Sequence, residues 1–179
     1  LLRYNILLMS NPQKAKGSSW ERDCANFLTK IYGETFIRAP GSGAYVGGTN
    51  NKRKQFLHEN QIRSFKGDIV PGQSFPKMNV ECKSYKDFPF HQLLHGNCKQ
   101  LDTWLAQLLD AEDAGDFSIL MMKFNRKGAY IAVRHSLLAQ LNLPQNYLIH
   151  SSDKHGSWLI IEHDTFWSLN ADTVKTLCQ

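Results

Sequence analysis

The chain has 179 residues, a hydrophobic fraction of 42%, ten Phe and four Trp, enough for one domain with a buried core and no need of disulfide or metal staples. That composition excludes disorder along the whole length, and the opening LLRYNILLM is too short to span a membrane. The net charge of +5 is uneven: residues 1–99 hold 15 Lys and Arg against 7 Asp and Glu, and residues 100–179 hold 6 against 9, a split that suits a polyanionic partner.

Met9 before Ser-Asn-Pro marks a candidate natural start, leaving residues 1–9 as an N-terminal extension and 10–179 as a single domain. Residues 10–17 read as a polar lead-in. A helix is predicted from Ser18 or Ser19, whose hydroxyls can cap free N–H groups, and Glu21 follows Ser18 at capping-box spacing. Trp20, Cys24, Phe27, Leu28 and Ile31 then form one apolar stripe, which Gly33 ends. Thr35–Ala39 reads as a short strand, and Pro40-Gly41-Ser42-Gly43 forces a turn. Residues 45–66 are glycine-rich and then basic, with Lys52, Arg53, Lys54, Arg63 and Lys66. They read as a loop or insertion whose cations could contact nucleic-acid phosphates.

Asp68-Ile69-Val70 is extended and runs into the turn Pro71-Gly72. Met78–Lys83 alternates as a strand, with Met78, Val80 and Cys82 on one face and Asn79, Glu81 and Lys83 on the other. A helix over 98–113 presents Leu101, Trp104, Leu105, Leu108 and Leu109. Phe117–Phe124 and Ala129–Val133 read as strands joined by a turn, His135–Leu141 as a short helix, Trp158–Ile161 as a strand, and 164–177 as containing a short terminal helix. The order implies an α/β or α+β domain with a mixed central sheet flanked by helices. Cys24, Cys82, Cys98 and Cys178 show no metal-ligand spacing and suit buried, reduced thiols in an intracellular protein. The histidines form no zinc pattern, and Trp104 and Trp158 read as packing residues rather than base platforms.

The chemistry centres on Asp68, Glu81 and Lys83. The Pro-Gly turn can return the chain as a hairpin and bring Asp68 beside Glu81. Two adjacent carboxylates repel unless a cation lies between them, and Mg²⁺ takes one or two protein carboxylates and fills its octahedron with waters or phosphate oxygens. The backbone carbonyl of Cys82 is a further candidate ligand, because its thiol is softer and should face the core. Lys83 shares the face of Glu81, where its ammonium could stabilise charge on a transferring phosphoryl group. Glu-x-Lys spacing alone also describes the wet face of an ordinary edge strand.

In company, the segments KGSSWERDCANFL at 16–28, FIRAPGSGA at 36–44, KGDIVPG at 66–72 and NVECKSYK at 79–86 resemble the PD-(D/E)xK nuclease superfamily. Within it they are most similar to archaeal-type and phage Holliday-junction resolvases. The resemblance implies a restriction-endonuclease-like core, usually homodimeric, that hydrolyses phosphodiester bonds of branched double-stranded DNA with Mg²⁺ or Mn²⁺. It makes Asp68 and Glu81 metal ligands, Lys83 the catalytic lysine, and Glu21 a metal or water contact. Arg38 and Ser42 would lie beside the phosphate, and Gln100 would be the polar residue of the following helix. Gly67, not Pro, precedes Asp68. Alternatives are a repair or restriction-like endonuclease, a ribonuclease with the same centre, and a catalytically silent DNA-binding protein.

Overall fold

The computed structural model describes residues 12–40, 55 and 66–179. The N-terminal extension, the turn containing Ser42, and Lys52, Arg53, Lys54 and Arg63 lie outside the described residues.

Helix α1 (Pro12–Tyr32) begins at Pro12, ahead of the expected start at Ser18. Proline's fixed φ suits a helix's first turn, and the Lys and Ala residues that follow are good helix formers. The expected polar lead-in is therefore helical from Pro12 onward. Ser18 and Glu21 sit inside the helix and cannot form the expected capping box. Trp20, Cys24, Ala25 and Leu28 are buried on one face, whereas Ile31, expected on that stripe, is exposed. Gly33, at a φ of 65°, closes the helix by donating its N–H to Thr29 O at 2.9 Å.

Two short strands, β1 (Ile37–Arg38) and β2 (Ile69–Val70), form an antiparallel pair with Arg38 opposite Ile69. The main sheet comprises β3 (Met78–Tyr85), β4 (Phe117–Phe124), β5 (Gly128–Arg134), β6 (Leu148–Ser152) and β7 (Gly156–Glu162). Its spatial order is β3-β4-β5-β7-β6. β3 and β4 are parallel and the other neighbours antiparallel. A parallel pair needs a crossover, supplied here by α2 (Phe90–Leu93) and α3 (Lys99–Asp110). Helix α4 (His163–Leu177) completes the fold as a full 15-residue helix rather than a short one. The Glu162 side chain caps it by accepting from the N–H groups of Asp164 and Thr165.

Strand alternation divides the core into two layers. Met78, Val80, Cys82, Ile119 and Met121 pack with α1 and α4 through Trp20, Leu28, Phe166 and Trp167. Leu120, Met122, Phe124 and Trp158 pack on the other face with Leu101, Trp104, Leu105 and Leu108 of α3. Because β4 is covered on both faces, its ILMM run reads as continuously apolar. Each fully buried side chain of this kind contributes about 1.5–3 kcal/mol. Trp104 and Trp158 are packing residues, and all four cysteines are free and buried.

Neither α2 nor β6 was expected from the sequence. In β6 the buried residue is His150, while Leu148 and Ile149 are exposed, the inverse of an apolar-in pattern. Pairing with β7 holds the strand nonetheless, with His150 opposite Trp158. His150 Nε2 lies 2.8 Å from Asp102 Oδ1 on α3. Among the described residues, no helix is long and apolar enough to cross a membrane.

Candidate active site

The site is built on the open edge of β3. Phe117 N donates to Lys77 O and Asn125 N to Tyr85 O, so the odd-numbered residues of this stretch direct their backbone groups toward β4. Val80 and Cys82 therefore direct theirs outward. Asp68 occupies that edge. Its N–H donates to Val80 O at 2.8 Å, and its Oδ2 accepts from Cys82 N–H at 2.8 Å. Backbone and side chain together stand in for a neighbouring strand, which fixes the carboxylate against β3. Oδ1 forms no hydrogen bond with a described residue. The Cys82 carbonyl, pointing the same way as its own N–H, shares this edge.

Gly67 makes the approach possible. Its φ is +64°, and a Cβ there would lie 2.5 Å from Val80 O and 3.1 Å from Asn79 Oδ1. Only glycine accepts both the left-handed backbone and the missing space. Gly67 departs from the Pro of the motif, and no local signal in the sequence reveals that the Val80 carbonyl occupies the space a side chain would need.

Glu81 and Lys83 point to the sheet face opposite Cys82, and Lys83 Nζ forms an ion pair with Glu81 Oε1. Glu81 is only 8% exposed and Asp68 only 5%, so the segment is not the solvated face of an ordinary edge strand. Glu21, freed from capping, is buried on α1, where its Oε2 accepts from Arg38 Nε. Arg38 is thereby brought to the site by its pairing across β1 and β2.

Burial and then the charge of Glu81 push the Asp68 carboxyl up to about 7, against the hydrogen bond from Cys82, with Glu21 adding to the rise. Burial also raises Glu81, opposed by the ammonium of Lys83. The carboxylates are thus within electrostatic reach of one another and short of positive charge. Burial and the adjacent Cys24 thiol push the Cys82 thiol well up, so it stays protonated. The donors available to a cation are hard oxygens: Asp68 Oδ1, the Glu81 carboxylate and the Cys82 carbonyl. Among the described residues there is no cluster of three or more His, Cys, Asp or Glu side chains arranged to hold a metal. Mg²⁺ needs only one or two protein carboxylates, with water or phosphate filling the rest. The set fits such an ion.

Two other expected residues, Lys66 and Gln100, form no hydrogen bond with Asp68, Glu81 or Lys83. Lys66, assigned to DNA contact from the sequence, is buried, with its ammonium held by Asp113 at 3.0 Å and by Asp116. Its charge is paired with two carboxylates of the α3–β4 connection. Gln100 is half-buried near the start of α3 and forms no hydrogen bond with Asp68, Glu81 or Lys83. Sequence reading placed Asn79 beside Glu81 but gave it no role. It ties β3 to α3 and β4 through Leu108 O at 3.0 Å and Ser118 Oγ at 3.1 Å.

In comparison with known proteins, the family described as "phage putative PDDEXK endonuclease" aligns with residues 12–175. No curated protein and no solved structure matches. The aligned stretch contains Glu21, Asp68, Glu81 and Lys83.

Proposed function

The chain belongs to the phage PDDEXK endonuclease family of the PD-(D/E)xK nuclease superfamily, and we propose that it is a divalent-cation-dependent, structure-specific endodeoxyribonuclease that resolves four-way DNA junctions. The observation that carries this reading is the seating of Asp68 on β3 through both its backbone and its carboxylate, with Glu81 and Lys83 alongside. A buried carboxylate pair of this kind is costly to a protein unless it has a use for a cation.

In this reading Asp68, Glu81 and the Cys82 carbonyl hold Mg²⁺, with Mn²⁺ as a substitute, and Glu21 joins through water. The bound ion supplies Lewis acidity to a phosphoryl oxygen and makes water a better nucleophile at neutral pH. Lys83 places positive charge where the phosphoryl oxygens gain negative charge. Arg38, held on Glu21, orients the phosphate backbone together with Ser42, and Gln100 borders the site. Lys52, Arg53, Lys54 and Arg63 contact flanking phosphates, which adds salt-dependent affinity. Residues 10–179 act as one nuclease domain. A two-fold homodimer sets two such centres on symmetry-related strands. The phage family fits a protein acting on DNA inside an infected cell.

The test is a panel of four-way junction, flap, nicked and linear DNA, each incubated without metal, with Mg²⁺, with Mn²⁺ and with Ca²⁺. Preferential Mg²⁺-dependent cutting of the four-way junction is expected. Equal cutting of plain duplex would remove the junction assignment and leave an endonuclease of repair or restriction type. Binding without cutting in either Mg²⁺ or Mn²⁺ would favour the silent DNA-binding alternative.

A further inference from the structure

The strand face that carries Glu81 and Lys83 continues to Tyr85, two residues further along β3. Glu81 is buried at that face, but Tyr85 is 45% exposed. One side of its ring rests on Trp104, with centroids 4.8 Å apart and planes tilted by 36°. Trp104 is itself buried and lies stacked with Phe88 at 5.6 Å and Phe124 at 6.2 Å. A column of buried rings thus holds the Tyr85 ring in place while the rest of it meets solvent. An aromatic side chain held this way loses little conformational freedom when it binds a flat partner.

Its distance from the chemistry is set by the strand. At the rise of an antiparallel or parallel strand, the Tyr85 Cα lies roughly 7 Å beyond Lys83 and roughly 13 Å beyond Glu81. The rise along one DNA strand is about 3.4 Å per nucleotide. A phosphate engaged by Lys83 therefore leaves a base of one of the next few nucleotides within reach of the ring. The exposed Lys86 follows directly and suits the phosphate beyond.

We propose that Tyr85 is a stacking platform for an unpaired base beside the phosphate that is cut, and so selects DNA with an open or branched step over continuous duplex, an inference that rests on the nuclease function proposed above. In intact duplex both faces of every base are covered by its neighbours, so the ring gains a partner only where a base is splayed out. Every base has a π face, which makes such selection tolerant of sequence.

The experiment compares wild type, Tyr85→Phe and Tyr85→Leu on a four-way junction and on linear duplex of the same sequence, in Mg²⁺. A second arm uses junctions carrying 2-aminopurine at single positions around the cut site, in Ca²⁺, where stacking quenches the fluorescence. Tyr85→Leu should raise KM for the junction roughly ten-fold, with kcat and the linear-duplex reaction unchanged. Tyr85→Phe should keep the wild-type KM. Wild type should quench 2-aminopurine at a flanking position, and Tyr85→Leu should not. A wild-type ratio of junction to duplex cutting in Tyr85→Leu overturns the platform alone. If that variant fails to fold, absence of quenching by wild type at every flanking position overturns it. A wild-type protein that cuts neither DNA in Mg²⁺ nor in Mn²⁺ overturns the nuclease reading and the platform with it.

Discussion

Replacing Gly67 with Ala should disable the site from a residue that need not touch substrate. Gly67 has a φ of +64°, and the added Cβ would meet the Val80 carbonyl at 2.5 Å. The obstacle is backbone and cannot swing aside. Strand β3 is registered against β4 along its whole length, from Met78 opposite Phe117 to Tyr85 opposite Phe124, so the segment bearing Asp68 must give way. The left-handed backbone and the clash together are expected to cost about 1–3 kcal/mol. For a chain of this length that lowers the melting temperature by about 2–12 °C. The larger effect falls on chemistry, because a displacement of about 1 Å in a positioning group can cost on the order of 100-fold in rate. Gly67→Pro is a sharper case. Proline is the residue for which the superfamily motif is named, yet its ring fixes φ near about −65°, so here it should be worse than alanine. Thermal melts followed by circular dichroism, with single-turnover cleavage of a four-way junction in Mg²⁺, measure both effects. A Gly67→Ala protein that cuts at the wild-type rate would refute the claim that this glycine seats Asp68.

Asp68 makes stability depend on pH in a stated direction. Its carboxyl is raised from 3.8 to about 7 by burial and then by Glu81, so between those values the folded state binds more protons than the unfolded chain. In metal-free protein the contribution of Asp68 should be fully present below this window and lost as pH rises through it. Asp68→Asn should flatten that slope and melt above wild type at pH 8, roughly one unit past the upper limit, while losing cleavage; an unchanged slope in melts across the window would count against the assignment. Lys66→Ala should act on the fold rather than on DNA, since it removes the cation paired with the Asp116 carboxylate, whose side chain is 6% exposed, and leaves it the N–H of Asp113. A loss of about 3–5 kcal/mol in denaturant melts is expected. A stable Lys66→Ala protein with weakened, less salt-dependent DNA binding would instead give Lys66 a role in contacting DNA.

Where one periodicity dominated, the fold was legible. The strands at 117–124 and 129–133 and the helix with Leu101, Trp104, Leu105 and Leu108 were all placed within a few residues of β4, β5 and α3. The meeting of Asp68 with the strand of Glu81 was expected through a hairpin, but β2 pairs with β1 instead, and Asp68 reaches β3 through its own N–H and carboxylate. The start of α1 was misplaced because Ser18 and Glu21 imitate a capping box, while Pro12, a better helix opener, stood in a stretch read as polar lead-in. β6 was missed because its buried residue is His150, whose partner Asp102 is 48 positions away. The ion pairs of Lys66 were not legible for the same reason, since Asp113 and Asp116 lie 47 and 50 residues along the chain. Pairings at that separation exist only in the folded chain and leave no local pattern.

The most direct measurement sets wild type beside Glu81→Ala on one labelled four-way junction, with binding read in Ca²⁺ and cleavage in Mg²⁺. Wild type should cut only when Mg²⁺ or Mn²⁺ is present, and Glu81→Ala should keep its fold and most of its DNA affinity while losing cleavage altogether. Mg²⁺-dependent cutting that survives in Glu81→Ala would contradict the placement of the catalytic centre at Asp68, Glu81 and Lys83.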